Sequence, residues 1–120
     1  MTTTIETGRF GEDAAKKFLE GLGYKILHTN WKTTFGEIDI IARDADFLVI
    51  VEVKTRHSLR HGNPEEAVNY RKQKQLVNLA EVFIRRNKVE TETRFDIISV
   101  VASGENTLIT HHINAFSPFD

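Results

Sequence analysis

Gly36-Glu-Ile-Asp-Ile-Ile-Ala-Arg-Asp44 runs through Ala45-Asp46 into Phe47-Leu-Val-Ile-Val-Glu-Val-Lys-Thr-Arg56. Two stretches rich in isoleucine and valine thus flank a short acidic turn, the composition of a pair of β-strands. We place strands over 37–43 and 47–55, with Asp44, Ala45 and Asp46 supplying the turn. Alternation puts Glu37, Asp39 and Ile41 on one face and Ile38 and Ile40 on the other. In the second strand Ile50, Glu52 and Lys54 share a face opposite Val49, Val51 and Val53. An even-length loop centred on Ala45-Asp46 then sets Asp39 opposite Glu52 and Glu37 opposite Lys54. Two carboxylates facing each other across a strand pair repel. This register therefore calls for a positive partner, and Mg²⁺ or Mn²⁺ suits carboxylate oxygens.

Outward from the hairpin, the spacing predicts a helix from about Gly8 to Leu22, stopped by Gly21 and Gly23. Phe10, Ala14, Ala15, Phe18, Leu19 and Leu22 form its apolar stripe. Glu12 falls about 20° from Leu19 on the helical wheel, at the edge of the buried face. Tyr24 to His28 reads as a short strand, and Asn30 to Thr34 as a polar turn or irregular stretch. Trp31 reads as partial core. A long loop, Arg56 to Asn63, leads to Pro64 at a helix start. That helix should run to about Asn87 with Leu76, Leu79, Ala80 and Phe83 on one face. Strands over 94–101 and 107–113 follow, separated by a Ser103-Gly104 turn. The order is α-β-β-β-α-β-β, an α/β (α+β) domain with a central mixed sheet flanked by helices.

At 120 residues the chain has the size of one domain, with 40% apolar and 28% charged residues. It contains no cysteine, which excludes disulfides and thiolate-bound zinc and fits a reducing cytoplasm. The polar N-terminus does not read as a signal peptide. No apolar run approaches the roughly 20 residues that span a bilayer, so a membrane partner is not expected. The net charge of −1 does not itself announce nucleic acid, but its distribution is uneven. From Val53 to Asn63 there are Lys54, Arg56, His57, Arg60 and His61 and no acid, and Arg71, Lys72 and Lys74 follow. Basic patches beside a carboxylate cluster suit an anionic polymer reaching a metal site. The alternative is that each basic run is a solvated face.

These residues can support phosphodiester hydrolysis. Asp39 and Glu52 would hold the cation. Lys54, two residues beyond Glu52, would orient water or stabilise developing charge. Glu12 could add a ligand, and Gln73 could orient a water or phosphate. Against this stands an ion-paired, solvent-facing sheet surface with no metal at all. His57 and His61 could suggest a metal pair, or phosphate contacts. Arg94-Phe95-Asp96 could be a sheet ion pair as readily as a substrate contact.

The spaced blocks Gly8-Arg-Phe-Gly-Glu12, Asn30, Gly36 to Ala42, Val51 to Arg56, Lys72 and Arg94-Phe-Asp96 resemble the YraN-type bacterial family. That family is related to the restriction-endonuclease-like PD-(D/E)XK superfamily, which includes archaeal Holliday-junction resolvases. The resemblance implies a restriction-endonuclease-like core with Asp39 as first metal-binding acid, Glu52-x-Lys54 as the second half-site, and Glu12 as the helical acid. Glu37 belongs to the same motif. The usual Pro-Asp is here Ile38-Asp39, as in the resolvase-like branch. Function resides in sites more than folds, so the expectation is a metal-dependent endonuclease for structured or branched DNA, ahead of RNA. Arg56, Arg60, Lys72 and Lys74 would contact nucleic acid, and a homodimer would let two sites cut paired strands. The rivals are a non-catalytic nucleic-acid-binding module and a protein-interaction domain.

Overall fold

A computed structural model describes residues 4–56, 68–103 and 105–118. The elements are α1 (Thr4–Gly21), β1 (Lys25–Thr33), β2 (Gly36–Asp44), β3 (Phe47–Arg56), α2 (Tyr70–Asn87), β4 (Glu92–Ser103) and β5 (Asn106–Phe116). Their order is the expected α-β-β-β-α-β-β, and the strands form one five-stranded sheet in the order β1-β2-β3-β4-β5. β3 and β4 run parallel, joined across α2, while the other neighbours are antiparallel.

The two helices cover opposite faces, which explains the unbroken apolar run in β3. Leu48 and Ile50 pack with Leu76, Leu79, Ala80 and Phe83 of α2. Val49 and Val51, between them in sequence, pack with Ala15 and Leu19 of α1. The four α2 residues read as one face are the buried ones of that helix. In α1 the stripe is narrower than the wheel suggests. Ala15 and Leu19 are buried while Phe10 and Leu22 are exposed, because α1 meets the sheet along one line. Leu22 follows the last residue of α1, and Phe10 borders a shallow groove toward Thr107 and Ile109 of β5.

Cap chemistry sets the helix ends. Gly23, at φ 92°, closes α1 with two bonds, Gly23 N–H to Glu20 O (3.0 Å) and Tyr24 N–H to Leu19 O (3.0 Å). This is the paired-bond ending that a left-handed glycine permits. α2 begins at Tyr70; the helix start expected at Pro64 lies outside the described residues. Its N-cap is Asn69, whose side chain accepts the Lys72 N–H at 2.9 Å, one of the helix-start donors that such a cap satisfies.

β1 is longer than expected. It continues through the polar 30–34 region to Thr33, paired with β2 as far as Thr33↔Gly36. Its polar sequence is that of an edge strand. It carries a bulge between Ile26 and His28 and a left-handed residue, Asn30, at φ 52°. Trp31 is partly buried, its ring edge-on to Phe83 at 5.4 Å, as partial core. Among the described residues no helix is long and apolar enough to cross a membrane.

Candidate metal centre

The β2–β3 hairpin has the register anticipated from its turn, with Asp44↔Phe47 at one end and Ile40↔Val51 at the other. There the pairing stops. β2 continues to Gly36 held only by β1, and β3 continues to Arg56 held only by β4. The sheet forks where Asp39 and Glu52 would next have faced each other. Asp39 Oδ2 accepts the Val53 N–H at 2.8 Å, taking the place of a strand carbonyl. The fork also breaks the expected alternation. Ile38 packs on the α2 side with Ile41, while Ile40 and Ala42 pack on the α1 side. Freed from a neighbour on one edge, the strand turns at Asp39 and Ile38 changes face.

Glu12 reaches this fork from α1. The helix lies so close to β3 that a methyl group on Gly11 would overlap the Thr55 hydroxyl. Glu12 accepts a hydrogen bond from the side chain of Asn30, the left-handed residue of β1. A non-glycine residue in that conformation is strained and clusters at functional positions; Asn tolerates it best. Carboxylate oxygens of Glu12, Glu37 and Asp39 lie within 4.8 Å of one another. Burial, then the charge of Asp39, push the Glu12 carboxyl up, with the Asn30 bond pulling down.

Glu52 stands on the α2 side of the fork and is 3% exposed. Its Oε2 lies 3.4 Å from the Lys72 ammonium, yet that oxygen makes no hydrogen bond among the described residues. At this distance and angle the lysine is a neighbouring charge without being a donor. Burial, then a hydrogen bond with the Glu52 carboxyl and the charge of that group, drive Asp39 from 3.8 up to about 8, against the pull of Val53 N–H and Lys72. Four carboxylates thus meet two ion-paired lysines, Lys72 beside Glu52 and the exposed Lys32 at 3.9 Å from Glu37 Oε2. The site offers only hard oxygen donors, the set suited to Mg²⁺ or Mn²⁺.

The sequence-derived residues divide as follows. Glu12, Glu37 and Asp39 converge, with Glu37 a full member of the cluster, and Glu52 adjoins Asp39. Lys54 is half-buried on β3, and its ammonium has no hydrogen bond or ion pair among the described residues. Lys72 is a partner of Glu52 and not a freely exposed phosphate contact. Gln73 donates to Val68 O at 3.0 Å, so its amide holds the chain entering α2. Lys74 is exposed and stacks over the Tyr70 ring at 5.1 Å. Arg56 ends β3, half-buried, whereas Arg60, His57 and His61 lie outside the described residues. Sequence reasoning missed Asn30 and Gly11 as positioning residues. The signal for Asn30 was present, an Asn inside an edge strand, where left-handed backbone is best tolerated.

Arg94 and Asp96 belong to a separate buried network. Arg94 Nε and Nη2 donate to Asp96 at 2.9 and 3.0 Å, Nη1 to Asp44 at 3.0 Å, and Nη2 to Tyr24 Oη at 2.6 Å. Asp96 also meets His111 Nε2 at 2.7 Å and accepts the Asn114 N–H at 3.0 Å. Burial raises the Asp96 carboxyl, but His111, Arg94 and Asn114 together outweigh it and hold it below its ordinary value. Of the two readings, the sheet ion pair is the one realised.

Comparison with known proteins places this geometry in a family. The profile described as "Uncharacterised protein family UPF0102" matches residues 11–100. A UPF0102 protein of Thermodesulfovibrio yellowstonii is 48% identical, covering 93% of this chain and 96% of the relative. One from Flavobacterium psychrophilum is 43% identical over 99% and 100% of the two chains, and one from Bacteroides thetaiotaomicron 42% over 98% of each. The matched span contains Glu12, Glu37, Asp39, Glu52, Lys54 and Lys72, the whole of the fork, and the chain belongs to the UPF0102 family.

Proposed function

We propose that the protein is a divalent-metal-dependent endonuclease that hydrolyses phosphodiester bonds in structured or branched DNA in the cytoplasm. The observation that carries this reading is the buried, unbonded Glu52 Oε2 beside Asp39, next to the converged Glu12 and Glu37. Buried acceptors are normally satisfied, and buried like charges are normally separated. Both departures at one place support a site made for a cation. Asp39, Glu52, Glu12 and Glu37 would hold Mg²⁺ or Mn²⁺. When bound, such an ion lowers the pKa of its water and offsets charge on a phosphate.

The remaining work falls to the chain itself. Val53 N–H and Asn30 hold the Asp39 and Glu12 carboxylates in place. Lys72 offsets the Glu52 charge from the α2 side. Lys54, without a competing partner among the described residues, is available as a point charge for a phosphate oxygen. Cutting both strands of a branched substrate with one site per chain would take a homodimer.

The test is cleavage of labelled duplex, single-stranded, flap, splayed-arm and four-way-junction DNA, with RNA counterparts. Each runs with Mn²⁺, Mg²⁺ or EDTA, beside Glu52→Gln and Lys54→Ala. Metal-dependent cutting that falls at least about 100-fold in both variants is the expected result. Cutting that survives both variants overturns the assignment of the site. Salt-sensitive binding without any cutting overturns the enzyme and leaves a nucleic-acid-binding module.

A further inference from the structure

The turn between β1 and β2 presents Phe35 to solvent while fixing its backbone from both sides. Its N–H donates to Thr33 Oγ1 at 3.0 Å, and its C=O accepts from Gln75 Nε2 of α2 at 2.9 Å. The following Gly36, at φ 146°, lies so tightly on α2 that a Cβ would come within 2.5 Å of the Gln75 amide. With its main chain clamped in this way, the ring is nevertheless 80% exposed. A ring left in water contributes little to the core, and Phe35 is one of two exposed aromatics beside α2.

Phe35 forms one wall of a groove of about 360 Å³ against the outer face of α2, with Arg71, Lys74, Gln75 and Asn78 along it and Leu79 beneath. The first turn of α2 contains no acid, and Glu81 is the first acid in the helix. One step around the helix, Tyr70 is a second exposed aromatic, 60% accessible, and shares Lys74 with the first groove through its cation–π contact. The groove adjoins the fork. Glu37 follows Phe35 by two residues, at the start of β2, and Lys72 of the same helical turn reaches Glu52. Exposed aromatic faces interleaved with unopposed cations and amides are the chemistry of a single-stranded nucleic-acid channel. Rings take the bases and cations take the phosphates.

We infer that this groove receives an unpaired nucleotide of the DNA strand entering the fork, its base stacked on Phe35 and its phosphates met by Arg71 and Lys74. The inference rests on the nuclease reading of the fork and narrows its substrate to DNA with an unpaired segment beside the bond that is cut. Blunt duplex offers no free base face to Phe35 and gains nothing from the groove. Arg71 and Lys74 act on either substrate, since phosphate contacts carry no such distinction.

The test measures binding of the whole chain, in EDTA, to a duplex carrying a short unpaired arm with 2-aminopurine at successive arm positions, and to the matched blunt duplex. Phe35→Ala removes an exposed side chain and leaves both backbone clamps intact, so the variant folds. It is expected to weaken arm binding about tenfold, to abolish the 2-aminopurine stacking signal, and to change blunt-duplex binding less than twofold. Phe35→Tyr is expected to restore both. The Arg71→Ala, Lys74→Ala double variant is expected to weaken both DNAs alike and to lower the salt slope. Equal effects of Phe35→Ala on the two DNAs, or none, overturn the inference. So does a variant that converts a dimer to a monomer in sedimentation while DNA binding is unchanged, which would make the groove a contact between copies. The parent reading fails separately, when the wild-type protein shows no metal-dependent cutting in the cleavage panel.

Discussion

Asp39 accepts the Val53 N–H where the hairpin ladder ends, and in doing so it becomes part of the sheet as well as of the carboxylate cluster. That double tie is why it cannot swing away from Glu52, and burial beside that second carboxylate pushes it up to about 8. A carboxyl raised in the folded state holds its proton more tightly there than in the unfolded chain. The Asp39 contribution to metal-free stability is therefore greatest below about pH 4 and is lost as pH rises through 8. The loss should be roughly 1–3 kcal/mol, a Tm fall on the order of 5–15 °C. Asp39→Asn should flatten this slope. Because a cation favours the ionised carboxylates, Mn²⁺ should raise Tm more at pH 8 than at pH 6, and the Asn variant should lose most of that rise. Thermal scans across pH with EDTA or Mn²⁺ check both; a slope that persists in Asp39→Asn assigns the titration to other groups.

Among elements, the contact that aligns the site is α1 on β3. Gly11 has no room for a methyl group against Thr55, whereas Gly8, one turn earlier, has nothing within 4 Å. The two glycines form a matched pair within one helix. Gly8→Ala should stabilise by about 0.5–1 kcal/mol through helix propensity. Gly11→Ala should destabilise by about 1–3 kcal/mol through overpacking, and the shifted helix should withdraw Glu12, weakening Mn²⁺ binding several-fold. Denaturant melts and metal titrations on both variants decide this, and equal behaviour of the two would show that the close approach does not position Glu12. Legibility followed the range of the cause. The hairpin register was readable from Asp44↔Phe47 to Ile40↔Val51 because turn length and alternation are local, but the expected pairs Asp39–Glu52 and Glu37–Lys54 do not form. The fork itself was not readable, since it depends on β1 and β4 holding the two strands apart, and so the face of Ile38 was misread. Asn30 and Lys72 were visible as residues but not as partners of Glu12 and Glu52, because those contacts cross between elements. The break at Val68 and Asn69 in the helix expected to reach Asn87 was not readable, because Asn69 sets the start of α2 by a hydrogen bond to Lys72 N–H.

Across the whole molecule, the site depends on a sheet whose outer strands are held to its middle by the network around Asp96. Arg94 joins β4 to Tyr24 at the end of α1 and to Asp44 at the β2–β3 turn, while Asp96 joins β4 to His111 and Asn114 of β5. The Asp96 side chain is fully buried and Arg94 nearly so, so removing either charge leaves the other costly to keep. Asp96→Asn should cost about 3 kcal/mol for that reason, a Tm loss on the order of 10–15 °C. The pH signature is opposite in sign to that of Asp39. Asp96 is held below its ordinary value, so its stabilisation is present above about pH 4 and is lost as pH falls through the depressed value. The acid limb of the stability profile should therefore shallow in Asp96→Asn while the decline from Asp39 between about pH 4 and 8 remains. Because Asp96 pairs in register with Val51, whose side chain packs on the α1 side away from Glu52 and Lys72, Mn²⁺ affinity of the folded variant should stay within about twofold of wild type. Loss of metal binding in a still-folded Asp96→Asn protein would instead make this network part of the site, and the division between a structural cluster and a chemical one would have to be redrawn.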